Sequence, residues 1–384
     1  MKRGLVLVTL ILTIFCLSIS TTAYASDVID DTLSDQIESI DFDNLDDKWD
    51  EWMQDLTGSE SFGQYIKDIL SGQDTLSVEK LLTNFGESIF KDIKALIPMI
   101  VSIVSICIIN SLAVGIKGDF LGVSISSLLS TICYCVVLGI SLQTLKTVAS
   151  DTLNAINSMQ SIMQSVFPIS ITLLSAVGCT SASGGLALSM SIVSNLIVNI
   201  ISLVVLPMFG ASMILAIVGN LSENVKLTKL RSGVHSVASW IIGIIFGVFS
   251  ILLTAQSVIA GSIDNVIVRS TKMALSGYVP ILGQYLSEGV DIVFTTSIML
   301  KNAVGVGGLV ILVVSLLIPL AKVIILSLCF RLTAGIVESF AENRVSKALE
   351  EFGKNVSLLT ASMLGCAFVS IVGLMATISI GGIV

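Results

Sequence analysis

Charged residues are scarce in this sequence. Asp, Glu, Lys and Arg make up 12% of its 384 residues, whereas about a quarter is usual in a soluble globular protein. Hydrophobic residues make up 54%, and the mean hydropathy is +0.95. Apolar stretches of 20 or more residues recur, and such a stretch can cross about 30 Å of hydrocarbon as a helix. The composition therefore predicts an all-α, polytopic helical membrane protein.

Histidine occurs only once, at His235, and the motifs of several enzyme classes are missing. A single histidine cannot build an HExxH motif or a histidine metal cluster. The sequence has no P-loop, no G-x-S-x-G nucleophile elbow and no basic aromatic pattern typical of nucleic-acid binding. We therefore predict a protein that is not an enzyme. We assign no catalytic residue, cofactor, metal ligand or nucleic-acid partner.

The N-terminus has the pattern of a secretory signal. Lys2 and Arg3 precede an apolar stretch, and Ala23 and Ala25 form an A-x-A cleavage site. We predict a signal peptide at residues 1–25, with an uncleaved signal anchor as the alternative. Either interpretation places the next segment outside the cytoplasm.

Acidic residues are concentrated in residues 26–94, whose net charge is −13, whereas residues 95–384 carry +3. The first range is predicted to be an extracytoplasmic region of short amphipathic helices, and the second is the membrane domain. Apolar side chains recur at helical spacing in three stripes, at 42–56, 62–70 and 78–93. Because these helices are too small to bury much alone, Trp49 and Trp52 are candidate contacts to a partner protein. A solvated acidic linker is the alternative.

Six apolar runs predict six membrane spans. They cover residues 95–116, 120–145, 186–218, 235–260, 303–328 and 356–380. A polar stretch at 146–164 is predicted to be a surface helix. The third run is long for one span, and Pro207 is expected to kink it.

A pattern in the second half of the chain occurs twice. Pro168 and Pro280 each begin the sequence P-I-x4-L-S, 112 residues apart, and Pro207 and Pro319 have the same separation. A Glu-Asn pair follows in both halves, at 223–224 and 342–343.

These matches predict a tandem repeat of residues 166–260 and 278–380, each with one re-entrant or surface segment and two spans. Whether the segments at 166–185 and 278–300 cross the membrane stays open. The small residues at 178–185 suit either a re-entrant loop or close helix packing.

The loops favour one orientation of the membrane domain. With residues 26–94 outside, the loops at 117–119, 221–234 and 331–355 lie in the cytoplasm and hold eight basic residues. The outer loops hold four, which are Lys146, Arg269, Lys272 and Lys301. This excess follows the positive-inside rule. Alternating charges from Arg344 to Lys354, including Glu350 and Glu351, predict a docking face for a soluble motor.

Lys322 is the one charged residue well inside a long apolar run. A lysine at mid-bilayer costs about 2.5–3.5 kcal/mol on insertion scales. It either lines a polar path or extends its amine to the inner headgroups. We take Lys322, with Pro168, Pro280, Pro207 and Pro319, as candidates for polar-path or packing roles.

The order of signal, acidic exported segment and polytopic domain with related halves resembles the stage III sporulation protein AE family of endospore-forming bacteria. The resemblance covers the full chain, including the P-I segments and the Glu-Asn loops, and it carries over no site residues. It implies a membrane subunit of the channel between mother cell and forespore, in the mother-cell membrane surrounding the forespore.

The resemblance also implies a role in late forespore gene expression and development. The implied partners are a cytoplasmic ATPase, ring-forming proteins between the two membranes and a forespore protein. A secondary transporter or permease with internal repeats is the alternative.

Overall fold

A computed structural model describes most of the chain, and all secondary-structure elements in the described residues are helices. The described residues are 33, 36–37, 40–46, 49, 51–72, 77–115, 123–176, 195–221, 227, 229–252, 255, 282–340 and 343–379. Three short helices come first: α1 (Asp43–Asp46), α2 (Glu51–Thr57) and α3 (Phe62–Leu70). Longer helices follow: α4 (Val78–Gly115), α5 (Val123–Ala176), α6 (Leu206–Leu221), α7 (Lys229–Leu252), α8 (Leu282–Glu338) and α9 (Asn343–Ser379).

Within the described part of the chain, six helices are long and apolar enough to cross a membrane. They are Glu79–Ala113, Leu128–Ala176, Asn195–Asn220, Lys229–Leu252, Ile292–Glu338 and Arg344–Ser379. Each overlaps one of the six predicted spans. The predicted class of an all-α polytopic membrane protein is confirmed.

The helices are longer than the apolar runs that predicted them. Helix α4 joins the third amphipathic stripe to the first span without interruption. Helix α5 joins the second span to the surface stretch at 146–164 and continues through Pro168. No Gly-Pro pair separates these parts, so backbone hydrogen bonding continues through them.

The exposed side chains of α5 change from apolar to polar near residue 145, where the apolar run of the sequence ends. Leu128, Ile132 and Val136 expose large apolar side chains in its first part. Further along, the exposed residues include Lys146 and Asn154, which are polar. The predicted boundary near residue 145 is therefore a change of surface within one helix.

Turn and cap residues set the ends of the short helices. Gly58, with φ of +78°, follows the end of α2 in a conformation that a side chain would disfavour. Ser61 caps α3, and its hydroxyl accepts a 3.2 Å hydrogen bond from the Gln64 N–H. These signals produce two short helices instead of one.

Helices α1–α3 form a layer that packs against α8. Phe62 and Ile66 of α3 lie over Gly307, where an added Cβ would stand 2.8 Å from each side chain. The side-chain amide of Gln36 donates to Ser297 Oγ at 3.3 Å. The glycine therefore permits close approach of α3 to the α8 backbone.

Helices α8 and α9 form an antiparallel hairpin at the centre of the described structure. Near the connection, Ser346 Oγ donates to the Ala334 carbonyl at 3.0 Å. The Phe330 and Phe352 rings meet edge to face, with centroids 6.1 Å apart. Among the six candidate spans, α9 is the most buried and α7 the least.

A widened turn precedes Pro207. Residues Ile201–Val205 form a π-helical turn, and α6 begins at Leu206. A proline lacks the N–H of a normal helical residue, and its ring clashes with the carbonyl four positions earlier. A π-helical turn relieves such a conflict without ending the helix. The structure shows this π-helical turn immediately before Pro207, and the kink predicted there stays a prediction.

The tandem repeat stays a prediction. Pro207 and Pro319 each lie in a candidate span that is followed by a short connection and another candidate span. Helix α8 continues from residue 282 through Pro319. Pro280, the Glu-Asn pair at 223–224 and the small-residue segment at 178–185 lie outside the described residues, as does the signal peptide.

Candidate functional site

Three charged side chains from three helices lie close together. Lys322 Nζ of α8 lies 2.5 Å from Asp151 Oδ2 of α5, and each side chain is about one third exposed (34% and 35%). Asp92 of α4 lies within electrostatic range of both. Lys322, which lies inside an apolar run of the sequence, therefore has a carboxylate partner. The opposite charge lowers the free-energy cost of placing the lysine in an apolar environment.

Antiparallel packing of α5 on α8 brings this charged cluster together. Val166 packs on Gly308, where an added Cβ would stand 2.9 Å from its side chain, and Asp151 meets Lys322. The two contacts are 15 residues apart on α5 and 14 on α8, which is about 21–23 Å of helix. The equal spacing on the two helices sets the lysine beside the aspartate.

The charged cluster lies where the protein surface changes from polar to apolar. On α5 the large exposed apolar side chains end at Leu142, and exposed Lys146 follows. On α8, Ile324 and Leu328 are exposed immediately after Lys322. At such a boundary an ion pair can reach water or headgroups while its stems pack on apolar neighbours. The Lys322–Asp151 pair connects α8 with α5, and the Asp92 carboxylate of α4 adds a second negative charge near it.

A second polar cluster connects α6, α7 and α9. Glu351 Oε2 accepts a 2.8 Å hydrogen bond from Asn220 Nδ2. It also lies 2.8 Å from Arg231 Nη1, an ion pair without hydrogen-bond alignment, and both of these charged side chains are largely buried. The sequence indicated a docking face here, but Glu351 faces inward. Its neighbour Glu350 instead forms an exposed pair with Lys354 at 2.7 Å.

The position of Lys301 in the structure differs from the predicted position. The loop assignment placed it in an outer loop, whereas the structure leaves only 1% of it exposed. Its Nζ donates to the Ile378 carbonyl at 3.2 Å, in the last turn of α9. A cation there complements the carbonyls and the negative end of the helix dipole. The sequence feature that could have indicated this burial is the long apolar run that begins two residues after Lys301.

Trp49 lies in the interior of the α1–α3 layer. It is 4% exposed, and its indole N–H donates to the Ser59 carbonyl at 2.8 Å. Its ring contacts Phe62 and Tyr65, with centroids 5.9 and 5.2 Å away. Trp49 therefore contributes to the internal packing, and the described conformation offers little of it to a partner. The side chain of Trp52 lies outside the described part.

The structure describes three of the four candidate prolines, and each lies on a different helix. Pro168 is exposed on α5, Pro207 is exposed on α6, and Pro319 is partly buried in α8. Their roles in packing or in a polar path stay predictions. Among the described residues, no group of three or more His, Cys, Asp or Glu is placed to hold a metal ion.

Together these features define a multi-pass helical membrane protein whose charged groups connect helices to one another. Comparison with known proteins gives the particular family. The model of the stage III sporulation protein AE family matches residues 60–384, so the chain belongs to that family.

One relative illustrates the distance within the family. The stage III sporulation protein AE of Bacillus subtilis (strain 168) is 23% identical over 330 residues, which are 85% of this chain and 82% of the relative. No solved structure matches the chain. The family resemblance noted in the sequence is confirmed.

Proposed function

We propose that the protein is a non-enzymatic membrane subunit of the channel complex between mother cell and forespore. In this role it resides in the mother-cell membrane surrounding the forespore and is required for late forespore development and gene expression. Membership of a stage III sporulation family is the observation that carries the proposal. The six candidate spans support a place in the bilayer.

The contacts of the charged groups in the candidate spans support a scaffolding role. Lys322 pairs with Asp151, Lys301 donates to a backbone carbonyl, and Glu351 is held by two partners. In a transporter, charged residues inside the membrane commonly line the substrate or ion pathway. Here each contact joins different helices or the two arms of the α8–α9 hairpin, which suits a subunit that holds its shape while partner proteins act.

The proposed partners are a cytoplasmic ATPase, ring-forming proteins between the two membranes and a forespore protein. Exposed Glu350 and Lys354 provide charged groups on the predicted cytoplasmic side for the ATPase. The α1–α3 layer is available to the intermembrane proteins because its acidic residues include exposed ones.

The test is replacement of the native gene in a spore-forming host. Without the protein, a late forespore transcription reporter should stay silent, and the tagged chain should restore it and co-purify with the ATPase. Purified chain should not move solute in liposomes by itself. Solute transport by the chain alone would favour the transporter alternative, and full reporter activity without the protein would contradict the proposal.

A further inference from the structure

Contacts between α5 and α8 show which of their residues lie at the same height along the bundle axis. Asp151 meets Lys322, and Val166 packs on Gly308, so the two helices are antiparallel and keep one register. Each residue of α5 can therefore be matched with the residue of α8 at its own height.

The α8–α9 hairpin and α7 extend this register across the bundle. Gly305 of α8 packs on Ile378 of α9, and Phe246 of α7 packs on Gly365 of α9. Gly365 comes 13 residues before Ile378 in the chain. Equal steps along antiparallel α9, α8 and α5 therefore place Phe246 at about the height of Ile156 in α5.

At this height the two sides of the bundle differ in polarity. Helix α5 exposes Asn154 and Asn157, and between residues 143 and 176 it exposes no large apolar side chain. On α7, by contrast, Ile244 and Val248 are exposed. Hydrocarbon can cover the apolar side chains of α7, whereas the exposed amides of α5 require water or another polar partner.

The difference is reversed nearer the connection between α8 and α9. Here α5 exposes the apolar residues Val136 and Leu142. At the corresponding height α9 exposes Lys347 and Glu350, which are charged. An upright bundle would show its apolar surface at the same heights on all sides. The exchange of sides therefore indicates an axis that is inclined to the bilayer normal.

We infer that the bundle crosses the bilayer obliquely, with lipid covering an inclined apolar belt. On one side, lipid contacts exposed apolar side chains within residues 97–112 of α4, 128–142 of α5 and 324–340 of α8. On the other side, it contacts those within residues 230–252 of α7, which are displaced along the axis. This stretch of α7 is about 33 Å long, comparable to the hydrocarbon thickness of about 30 Å.

The inclined belt assigns different surroundings to parts of the same helix. The Lys322–Asp151 pair lies at the edge of the belt, and the polar surface of α5 beyond it faces water. Parts of the apolar runs are covered by protein, since α8 exposes no large apolar side chain between residues 300 and 320. The inference goes beyond the proposed function and does not depend on any other channel protein.

Native Trp240 of α7 reports depth in the bilayer. It is exposed near the middle of the 230–252 stretch, yet it lies at about the height of Asp151. The oblique arrangement therefore places the indole deep in the hydrocarbon. An upright bundle whose apolar surface ends at Asp151 would place it near the headgroups.

Fluorescence quenching distinguishes these two depths. The full-length protein is reconstituted in vesicles whose lipids carry bromine either near the ends of the acyl chains or near the headgroups. The fluorescence that Trp240→Phe removes isolates the signal of this residue from the other tryptophans. This signal should lose more intensity with the deep bromines. Stronger quenching by the shallow bromines would overturn the inference, and absence of quenching by both would show that protein covers α7.

Spin labels compare the two sides of the bundle at matched heights. Asn157→Cys and Val248→Cys, both at exposed positions, carry a nitroxide in the reconstituted full-length chain. The spectrum of the labelled chain without an added cysteine is subtracted to remove the native ones. The label at position 248 should be more accessible to oxygen, which concentrates in hydrocarbon, and the label at 157 to a water-soluble nickel chelate.

A second pair of labels tests the reversed polarity. Val136→Cys should behave like Val248→Cys, and Lys347→Cys should behave like Asn157→Cys, because both pairs combine a lipid-facing and a water-facing position. Equal accessibility of the two labels within either pair would overturn the inclined belt. The tryptophan measurement needs no cysteine, so it tests the inference even if a labelled variant fails to fold.

Discussion

Lys322 and Asp151 are separated by 171 residues in the chain and are joined by a 2.5 Å contact between α8 and α5. The contact explains how a lysine is tolerated inside an apolar run. Its carboxylate partner supplies an opposite charge, and the exposed third of the pair keeps some contact with the surroundings. The pair therefore connects α8 with α5, and removing it should lower the free energy of unfolding.

We expect Lys322→Met or Asp151→Asn to destabilise the solubilised protein by about 1 kcal/mol, since a partly exposed ion pair contributes an amount of that order. Exchange of the two residues, Lys322→Asp with Asp151→Lys, should recover part of the loss. Thermal unfolding in detergent measures the effect. The control is Lys146→Met, since Lys146 is exposed on α5, the helix that carries Asp151. This control should leave the melting temperature unchanged.

Glu351→Gln should destabilise the protein by about 1–3 kcal/mol, because largely buried Arg231 would lose its carboxylate partner. The neighbouring change Glu350→Gln should stay within about 0.5 kcal/mol, since the Glu350 pair is exposed. Thermal unfolding and membrane level of the two variants should be compared. Equal effects would show that the inward position of Glu351 does not contribute to stability.

Trp49→Ala should lower stability by about 3–5 kcal/mol, because it leaves a cavity and removes the donor to the Ser59 carbonyl. The level of the protein in the membrane should fall with it. Gln54→Ala, an exposed change in the same layer, is the control. Normal level and stability of Trp49→Ala, with loss of co-purifying partners, would instead support the partner contact predicted from the sequence.

A cysteine at position 60 should react with a membrane-impermeant maleimide in intact cells that make the protein, because Glu60 is exposed in the region predicted to be exported. A cysteine at Ser59 should stay protected until the protein is denatured, since only 1% of Ser59 is exposed. Labelling at position 60 only after cell lysis would reverse the predicted orientation.

Much of the fold follows from local sequence. A run of apolar residues identifies a candidate span because transfer to hydrocarbon depends on the composition of that run alone. Helical spacing within the stripes at 42–56 and 62–70 likewise identifies side chains that need cover, among them Trp49 and Phe62. This spacing does not show what covers the side chains. We predicted a partner protein for Trp49, whereas in the structure its ring packs on Phe62 and Tyr65 of the same layer.

The sequence by itself determined the helical membrane class, the six apolar spans and the acidic bias before them, since these depend on composition and short-range periodicity. Tertiary structure decided the partners of the charged groups. Lys301 is buried against the last turn of α9, Glu351 turns inward while Glu350 stays exposed, and Lys322 meets Asp151. The physical reason is that these contacts join residues far apart in the chain, and only the register of helix packing sets which side chains meet.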